Sequence, residues 1–267
     1  KKKKKKKMDW EQREIYLAIK RGEIETVDQF LINRYNDPNC QENGYGATPF
    51  YTACCFGQIE IVKLLLDDRR VDVNKFENVT KQTPFLIACQ EGHLEIVKLL
   101  LNEKRVNVNI ANKYGQTPFY VACRGGRIEI VELLLASDKV MYFNINAPDY
   151  QGKTPLNIAE ERRKDVKRVF ESQERFQQRK QNCEKIVNLL ESFNNNPSET
   201  KFRLRAKLKL SGINNSLFDV KINFLIPLFL FLLYVISFIQ FEDGDAASLF
   251  AIVVLLSDCY LDFKNKK

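Results

Sequence analysis

The sequence predicts an all-α fold, a solenoid of about five helix-turn-helix repeats followed by a linker and one or two C-terminal hydrophobic helices. Three observations carry this expectation. One phrase recurs four times, as Thr48-Pro49-Phe50, Thr83-Pro84-Phe85, Thr117-Pro118-Phe119 and Thr154-Pro155-Leu156, with starts 35, 34 and 37 residues apart, and a fixed period of this length marks a repeat array. A second phrase follows the first three copies after Ala-Cys and a glycine, as in Ile59-Glu60-Ile61-Val62-Lys63-Leu64-Leu65-Leu66 and Leu94-Glu95-Ile96-Val97-Lys98-Leu99-Leu100-Leu101. Far downstream, twenty uncharged residues run from Ile222 to Phe241, about 30 Å of helix and the thickness of a bilayer's hydrocarbon core.

At the amino end, Lys1–Lys7 supply seven of the formal +8 and leave the remaining chain at +1, which removes a global case for nucleic-acid binding. The run reads as a translated leader ahead of Met8 or as a solvated, disordered tail, and no apolar stretch follows it as in a signal peptide. Arg21-Gly22-Glu23-Ile24-Glu25 aligns with Phe56-Gly57-Gln58-Ile59-Glu60, so a divergent repeat precedes the first Thr-Pro. In each unit threonine caps the first helix through its hydroxyl, and proline at the first helical position lacks only an amide hydrogen that has no helical partner. Gly57, Gly92 and Gly126 turn the chain into the second helix. Cys54, Cys89 and Cys123 recur behind alanine at one repeat position and read as small core side chains; with no metal-ligand spacing among the seven cysteines, the chain suits a reducing compartment.

These residues resemble the ankyrin repeat, whose consensus carries Thr-Pro-Leu-His-x-Ala, a Gly-His pair, an apolar second helix and a closing Asp-Val-Asn. The closing phrase reads Val71-Asp72-Val73-Asn74, Val106-Asn107-Val108-Asn109 and Phe143-Asn144-Ile145-Asn146, and Gly92-His93 is present once. The resemblance covers about two thirds of the chain, over residues 8–193. Two departures stand out. The consensus histidine is replaced by Tyr51, Leu86, Tyr120 and Asn157, and the loops Asp67-Asp68-Arg69-Arg70 and Asn102-Glu103-Lys104-Arg105 are longer than the consensus. The last unit lacks its turn glycine; Val166–Phe170 and Glu184–Leu190 compete as its second helix, the latter being the better copy.

The resemblance implies recognition of a protein partner through hairpin tips and the exposed inner-helix face, along which contacts from successive repeats add. Carried onto this chain, the contact residues are Tyr45, Asn78, Lys81, Asn112, Lys113, Tyr114, Asp149 and Tyr150 at the tips and Tyr51, Phe56, Tyr120 and Arg124 on the inner helices. Their aromatics have the character of interface anchors. For Tyr51 and Tyr120 a second reading stays open, that they pack between repeats where the histidine would be.

Residues 194–221 read as a basic linker. Within it Lys201-Phe202-Arg203-Leu204-Arg205-Ala206-Lys207-Leu208-Lys209-Leu210 alternates cationic and apolar residues, so an extended strand would place Lys201, Arg203, Arg205, Lys207 and Lys209 on one face, either against anionic lipid or as an ordinary topology flank without lipid specificity. Fourteen of the residues from Phe224 to Phe241 are Leu, Ile, Val or Phe, and their summed insertion energy of roughly −4 to −8 kcal/mol exceeds the cost of Pro227, Ser237 and Gln240. A second apolar run, 246–263, contains Asp258 and Asp262 and is a weaker membrane segment. The flanking cations put the repeats on the cytosolic side of a membrane.

No phosphate-binding glycine loop, metal cluster or nucleophile motif is present, and the one histidine, His93, occupies a repeat-turn position, so neither enzyme activity nor a cofactor is expected. Three functions follow: a membrane-anchored scaffold that binds a protein, the front of a polytopic membrane protein such as an ankyrin-bearing ion channel, or a soluble adaptor whose C-terminal segment is an internal core or a misread frame.

Overall fold

The computed structural model describes residues 13–42, 44–138, 144–164 and 172–209. The Thr-Pro phrase does what its chemistry predicts. Thr48, Thr83 and Thr117 are extended, and their hydroxyls accept hydrogen bonds from the amides of Tyr51, Leu86 and Tyr120, with proline opening each helix. Helices α3 (Pro49–Phe56), α5 (Pro84–Glu91) and α7 (Pro118–Gly125) each end at a glycine with positive φ, 73° at Gly57, 92° at Gly92 and 67° at Gly126. Side chains are excluded at two of them for a second reason: a β-carbon on Gly57 would lie 2.7 Å from the His93 ring, and one on Gly92 2.8 Å from the Arg127 guanidinium.

Second helices then follow: α4 (Ile59–Asp67), α6 (Leu94–Asn102) and α8 (Ile128–Ala136). Before them lie α1, over residues 13–21, and α2 (Ile24–Ile32), the divergent opening repeat. After them comes α9 (Pro155–Lys164). The inner helices stack in the order α3, α5, α7, α9 and the outer ones in the order α2, α4, α6, α8. Each pair buries the same residue types, Phe85, Ala88 and Cys89 from α5 against Ile96, Val97 and Leu100 from α6 being representative. Cys54, Cys89 and Cys123 are fully buried, as expected of core side chains, and no cysteine among the described residues is in a disulfide.

The carboxyl end differs from the sequence expectation. Helix α10 (Gln173–Asn195) contributes Cys183, Ile186, Val187, Leu190 and Phe193 to the core and packs on α7, α8 and α9, so Glu184–Leu190 does serve as the last second helix. Val166–Phe170 lies outside the described residues. The stack does not end near Phe193, and the basic segment is not an extended strand. Residues Pro197–Lys207 form helix α11, packed on α8 and α10 through Thr200 and Leu204. Asn196, read as linker, is its cap: its side chain accepts from the Glu199 amide and donates to the Glu199 carboxylate at 2.9 Å, with Pro197 next in line. That is a reciprocal capping arrangement around an initiating proline.

The packed unit closes at Leu208. Among the described residues no helix is long and apolar enough to cross a membrane; the apolar segments 222–241 and 246–263, and the leader 1–7, lie outside the described residues.

Candidate protein-binding surface

The tips are built from backbone hydrogen bonds. Within each tip one amide closes the loop: Glu42 to the Ala47 carbonyl at 2.9 Å, Glu77 to Gln82 at 3.1 Å, Asn112 to Gln116 at 3.0 Å and Asp149 to Lys153 at 2.9 Å. Between tips a second set runs along the stack, from Asn78 N–H to the Tyr45 carbonyl at 2.8 Å, Lys113 to Thr80 at 2.9 Å and Tyr150 to Tyr114 at 3.0 Å. Four tips are thereby joined into one continuous edge.

Three polar side chains are folded inward to hold these loops. The Glu77 carboxylate, 4 % exposed, accepts from the amides of Val79 and Thr80 at 2.6 Å, from the Gln82 amide at 3.2 Å and from the Thr80 hydroxyl. Burial alone would raise its pKa, but the hydroxyl and the three amides outweigh burial and hold it below the usual glutamate value. Asn112 accepts from the Tyr114 and Gln116 amides at 3.0 Å. Asp149 accepts from the Gln151 and Lys153 amides at 2.9 and 3.0 Å. Asn112 and Asp149 are therefore buried loop anchors, and Glu77, absent from the sequence-derived contact set, is the third member. The signal that would have found it is register: Glu42, Glu77, Asn112 and Asp149 occupy one repeat position, where a short acceptor can reach the amides two to five residues ahead.

The tyrosines that replace histidine also turn inward. Tyr120 is 1 % exposed and donates its hydroxyl to Asp149 at 2.9 Å; burial, reinforced by that carboxylate, pushes its pKa well above the usual range. Burial opposes ionisation of Asp149, yet the Lys153 amide, the Tyr120 hydroxyl and the Gln151 amide together keep its pKa low. Tyr51 is half-buried and donates to the Gln82 side chain at 3.2 Å. Tyr16, one repeat earlier, donates to the carbonyls of Cys40 and Ala47 at 2.7 and 3.1 Å. Packing between repeats is thus the role of Tyr16 and Tyr120, while Tyr51 is shared between packing and surface.

What reaches solvent is a row of aromatic and cationic groups. Tyr45 is 69 % exposed, Phe56 50 %, Tyr114 49 % and Tyr150 80 %, joined by the tip residue Val79 and by Phe76, which the sequence pattern does not single out. Lysine ammonium groups lie over three of the rings: Lys20 over Phe56 at 5.5 Å, Lys81 over Phe76 at 4.8 Å and Lys113 over Tyr114 at 5.1 Å. Arg124 reaches Gln116 at 3.0 Å and Gln90 at 3.4 Å, and Asn78 is exposed beside Gly46. A cleft of about 300 Å3 opens between the first tips and inner helices, lined by Tyr45, Tyr51, Cys55, Phe56, Val79 and Lys20 among others.

One residue in this row breaks a repeat rule. Gly46, Lys81, Gly115 and Gly152 hold the same tip position, with φ of 66°, 61°, 77° and 78°. Glycine adopts this backbone freely, whereas an L side chain costs about 1–2 kcal/mol there. At Gly46 and Gly115 the choice is also steric, since a β-carbon would meet Asn78 at 2.0 Å and Tyr150 at 2.7 Å.

The five predicted lipid-facing cations do not share one strand face. Lys201 and Arg205 pair with Asp138, the former at 3.3 Å, Lys207 pairs with Glu132 at 2.5 Å, Arg203 pairs with Glu199, and Lys209 is exposed. Helical geometry sends Lys201 and Arg205, four residues apart, toward the stack. Among the described residues no group of three or more His, Cys, Asp or Glu side chains is arranged to hold a metal ion.

Paired helices stacked in register, with a continuous edge of loop tips, define a helical repeat solenoid. Within that class, a family model for ankyrin repeats (three copies) matches residues 15–112, 69–144 and 104–180, more than half of the chain, and the chain belongs to the ankyrin-repeat family. No curated protein matches it.

Proposed function

We propose that this chain is a membrane-anchored ankyrin-repeat scaffold, facing the cytosol, that binds a protein partner through its tip edge and inner-helix face. Ankyrin repeats are interaction scaffolds, and the observation that supports this surface is the joined row of solvent-facing Tyr45, Phe56, Tyr114 and Tyr150. Large, stiff, amphipathic side chains on a rigid edge lose little entropy on binding. Asn78, Lys81, Lys113 and Arg124 supply polar contacts around them. Anchoring rests on the uncharged run 222–241. Of the basic set, Arg203, Lys207 and Lys209 face solvent and are the cations that meet anionic headgroups.

The test is two-part. Expressed in cells, the full chain is expected to stay with membranes after alkaline extraction, and a variant with Leu228, Leu230 and Leu232 changed to Asp is expected to be released. A partner bound by the wild-type chain is expected to be lost when Tyr45, Tyr114 and Tyr150 are changed together to Ala; retention of binding by this triple variant overturns the surface assignment. Asp258 and Asp262 within the run 246–263 favour a second reading, the front of a polytopic membrane protein such as an ankyrin-bearing channel, because intramembrane carboxylates line polar pathways. Reconstituted full chain that conducts ions, and loses conductance on Asp258→Asn, would support it.

A further inference from the structure

We infer that the partner segment recognised by the tip edge is acidic, with an apolar anchor residue that enters the cleft beside Tyr45 and Phe56. This rests on the protein-binding reading above and names the chemistry of what is bound. The reason is where the charges of the tips point. Their carboxylates are consumed inside the protein: Glu77 by three amides and a hydroxyl, Asp149 by two amides and the Tyr120 hydroxyl. Their lysines are not. Among the described residues Lys20, Lys81 and Lys113 make no ion pair with a carboxylate; each ammonium instead stands over an aromatic ring. Glu42 lines the cleft, Glu91 lies near Tyr51, and Glu161 near Tyr120 is already paired with Lys153, so the three ring-bound lysines outnumber the carboxylates left open beside them. An ammonium over a ring keeps open donor directions, so it can receive a carboxylate without surrendering its aromatic contact.

Lys81 is the second and independent observation. At a backbone position with φ of 61°, where the three equivalent residues are glycine, the fold alone favours glycine. A lysine there places a cation at the centre of the edge at the expense of the fold, as expected of a residue that serves binding. The cleft adds an apolar subsite, walled by Tyr45, Tyr51, Phe56 and Val79, with Lys20 at its margin. Lys20 at the cleft margin, with Lys81 and Lys113 on the adjoining tips, fits a peptide in which Asp or Glu flanks a Leu, Ile or Phe.

The experiment uses the full chain in detergent and a set of labelled 12-residue peptides that share a central Phe and vary from six Glu to six Lys, read by fluorescence anisotropy. Affinity is expected to rise at least tenfold from the neutral to the most acidic peptide and to weaken steeply with added salt. Lys81→Glu and Lys113→Glu are each expected to weaken acidic-peptide binding about fivefold or more. Lys81→Gly is expected to weaken it about threefold while leaving the melting temperature unchanged or higher, a pairing of effects that a merely structural lysine would not produce. Affinity independent of peptide charge, or greatest for the basic peptides, overturns the acidic assignment. If basic peptides bind and are lost on the triple change of Tyr45, Tyr114 and Tyr150 to Ala, the protein-binding surface stands and only its charge preference falls. A 12-nucleotide single strand that binds more tightly than every peptide would instead make the edge a nucleic-acid site and overturn the proposal.

Discussion

The interior repeats and the carboxyl end of the stack make the same contacts with different parts of the chain. In the interior, partners sit at a fixed offset. The Arg70 guanidinium donates to the Leu31 carbonyl at 2.8 Å while held by Asp68 at 2.7 Å, and Arg105 donates to Leu66 at 2.6 Å while held by Glu103. At the last repeat that arginine comes from a helix instead of a loop: Arg205 of α11 donates to the Ala136 carbonyl at 2.9 Å and pairs with Asp138. The turn contacts behave likewise. Gln58, His93 and Arg127 each reach back to a carbonyl of the preceding inner helix, at Lys20, Cys55 and Gln90, and Asn182 of α10 reaches Gly126 at 3.1 Å in their place. A stacked array must satisfy the carbonyls at each helix end, but it is indifferent to which segment donates. The longer loops after the second helices are explained by the same arginines, which fold back to cap the previous unit.

If α10 is energetically a repeat helix, Leu100→Ala in α6 and Leu190→Ala in α10 should each destabilise the protein by about 2–5 kcal/mol, because both side chains are buried. Urea denaturation of the two variants decides it, and a loss at Leu190 well below that range would make α10 a passive cover. The next largest effect is expected at the tips: Glu77→Ala leaves three amides without their acceptor and should remove about 1–3 kcal/mol, with proteolysis appearing first between Phe76 and Gln82. Arg105→Ala and Arg205→Ala should each cost about 1 kcal/mol, since both guanidinium groups are part-exposed and solvent screens their pairs. Equal losses in low salt would equate the interior cap with the one supplied by α11, whereas a silent Arg205→Ala would separate them.

The smallest expected effect is on acid stability. Hydrogen bonds from Arg70 and Arg105 hold Asp68 and Glu103 below their ordinary values of 3.8 and 4.5. Folded-state values below the unfolded ones mean that the unfolded chain takes up protons first, so this stability is complete at neutral pH and fades as pH falls through about 4. Thermal melts between pH 7 and pH 3 of wild type, Asp68→Asn and Glu103→Gln measure it; a wild-type curve no steeper than those of the variants removes the arginine caps as the source.

The repeat helices were legible because each needs only local information: threonine before proline, a glycine to turn, and apolar residues at helical spacing. The tip contacts were partly legible. Tyr45, Tyr114 and Tyr150 reach solvent as expected, but Asn112, Asp149 and Tyr120 do not, because a polar side chain at a loop position serves the nearest bare amides before it serves a partner. The basic segment was misread for a different reason. Its alternation of cationic and apolar residues fits a strand, yet the cap at Asn196-Pro197 with Glu199 had already started a helix, and Leu204 needed only one apolar side to pack against α8 and α10.

By itself the sequence determined the period, the helix boundaries of the interior repeats and the family, since these follow from short-range sterics and hydrogen bonding repeated along the chain. Tertiary structure alone decided that the tip carboxylates face inward while the lysines face outward, that α11 closes the stack, and that Arg205 and Asn182 stand in for missing repeat residues. Those choices depend on which carbonyls, amides and charges packing leaves unsatisfied, and that is settled only when segments distant in sequence meet.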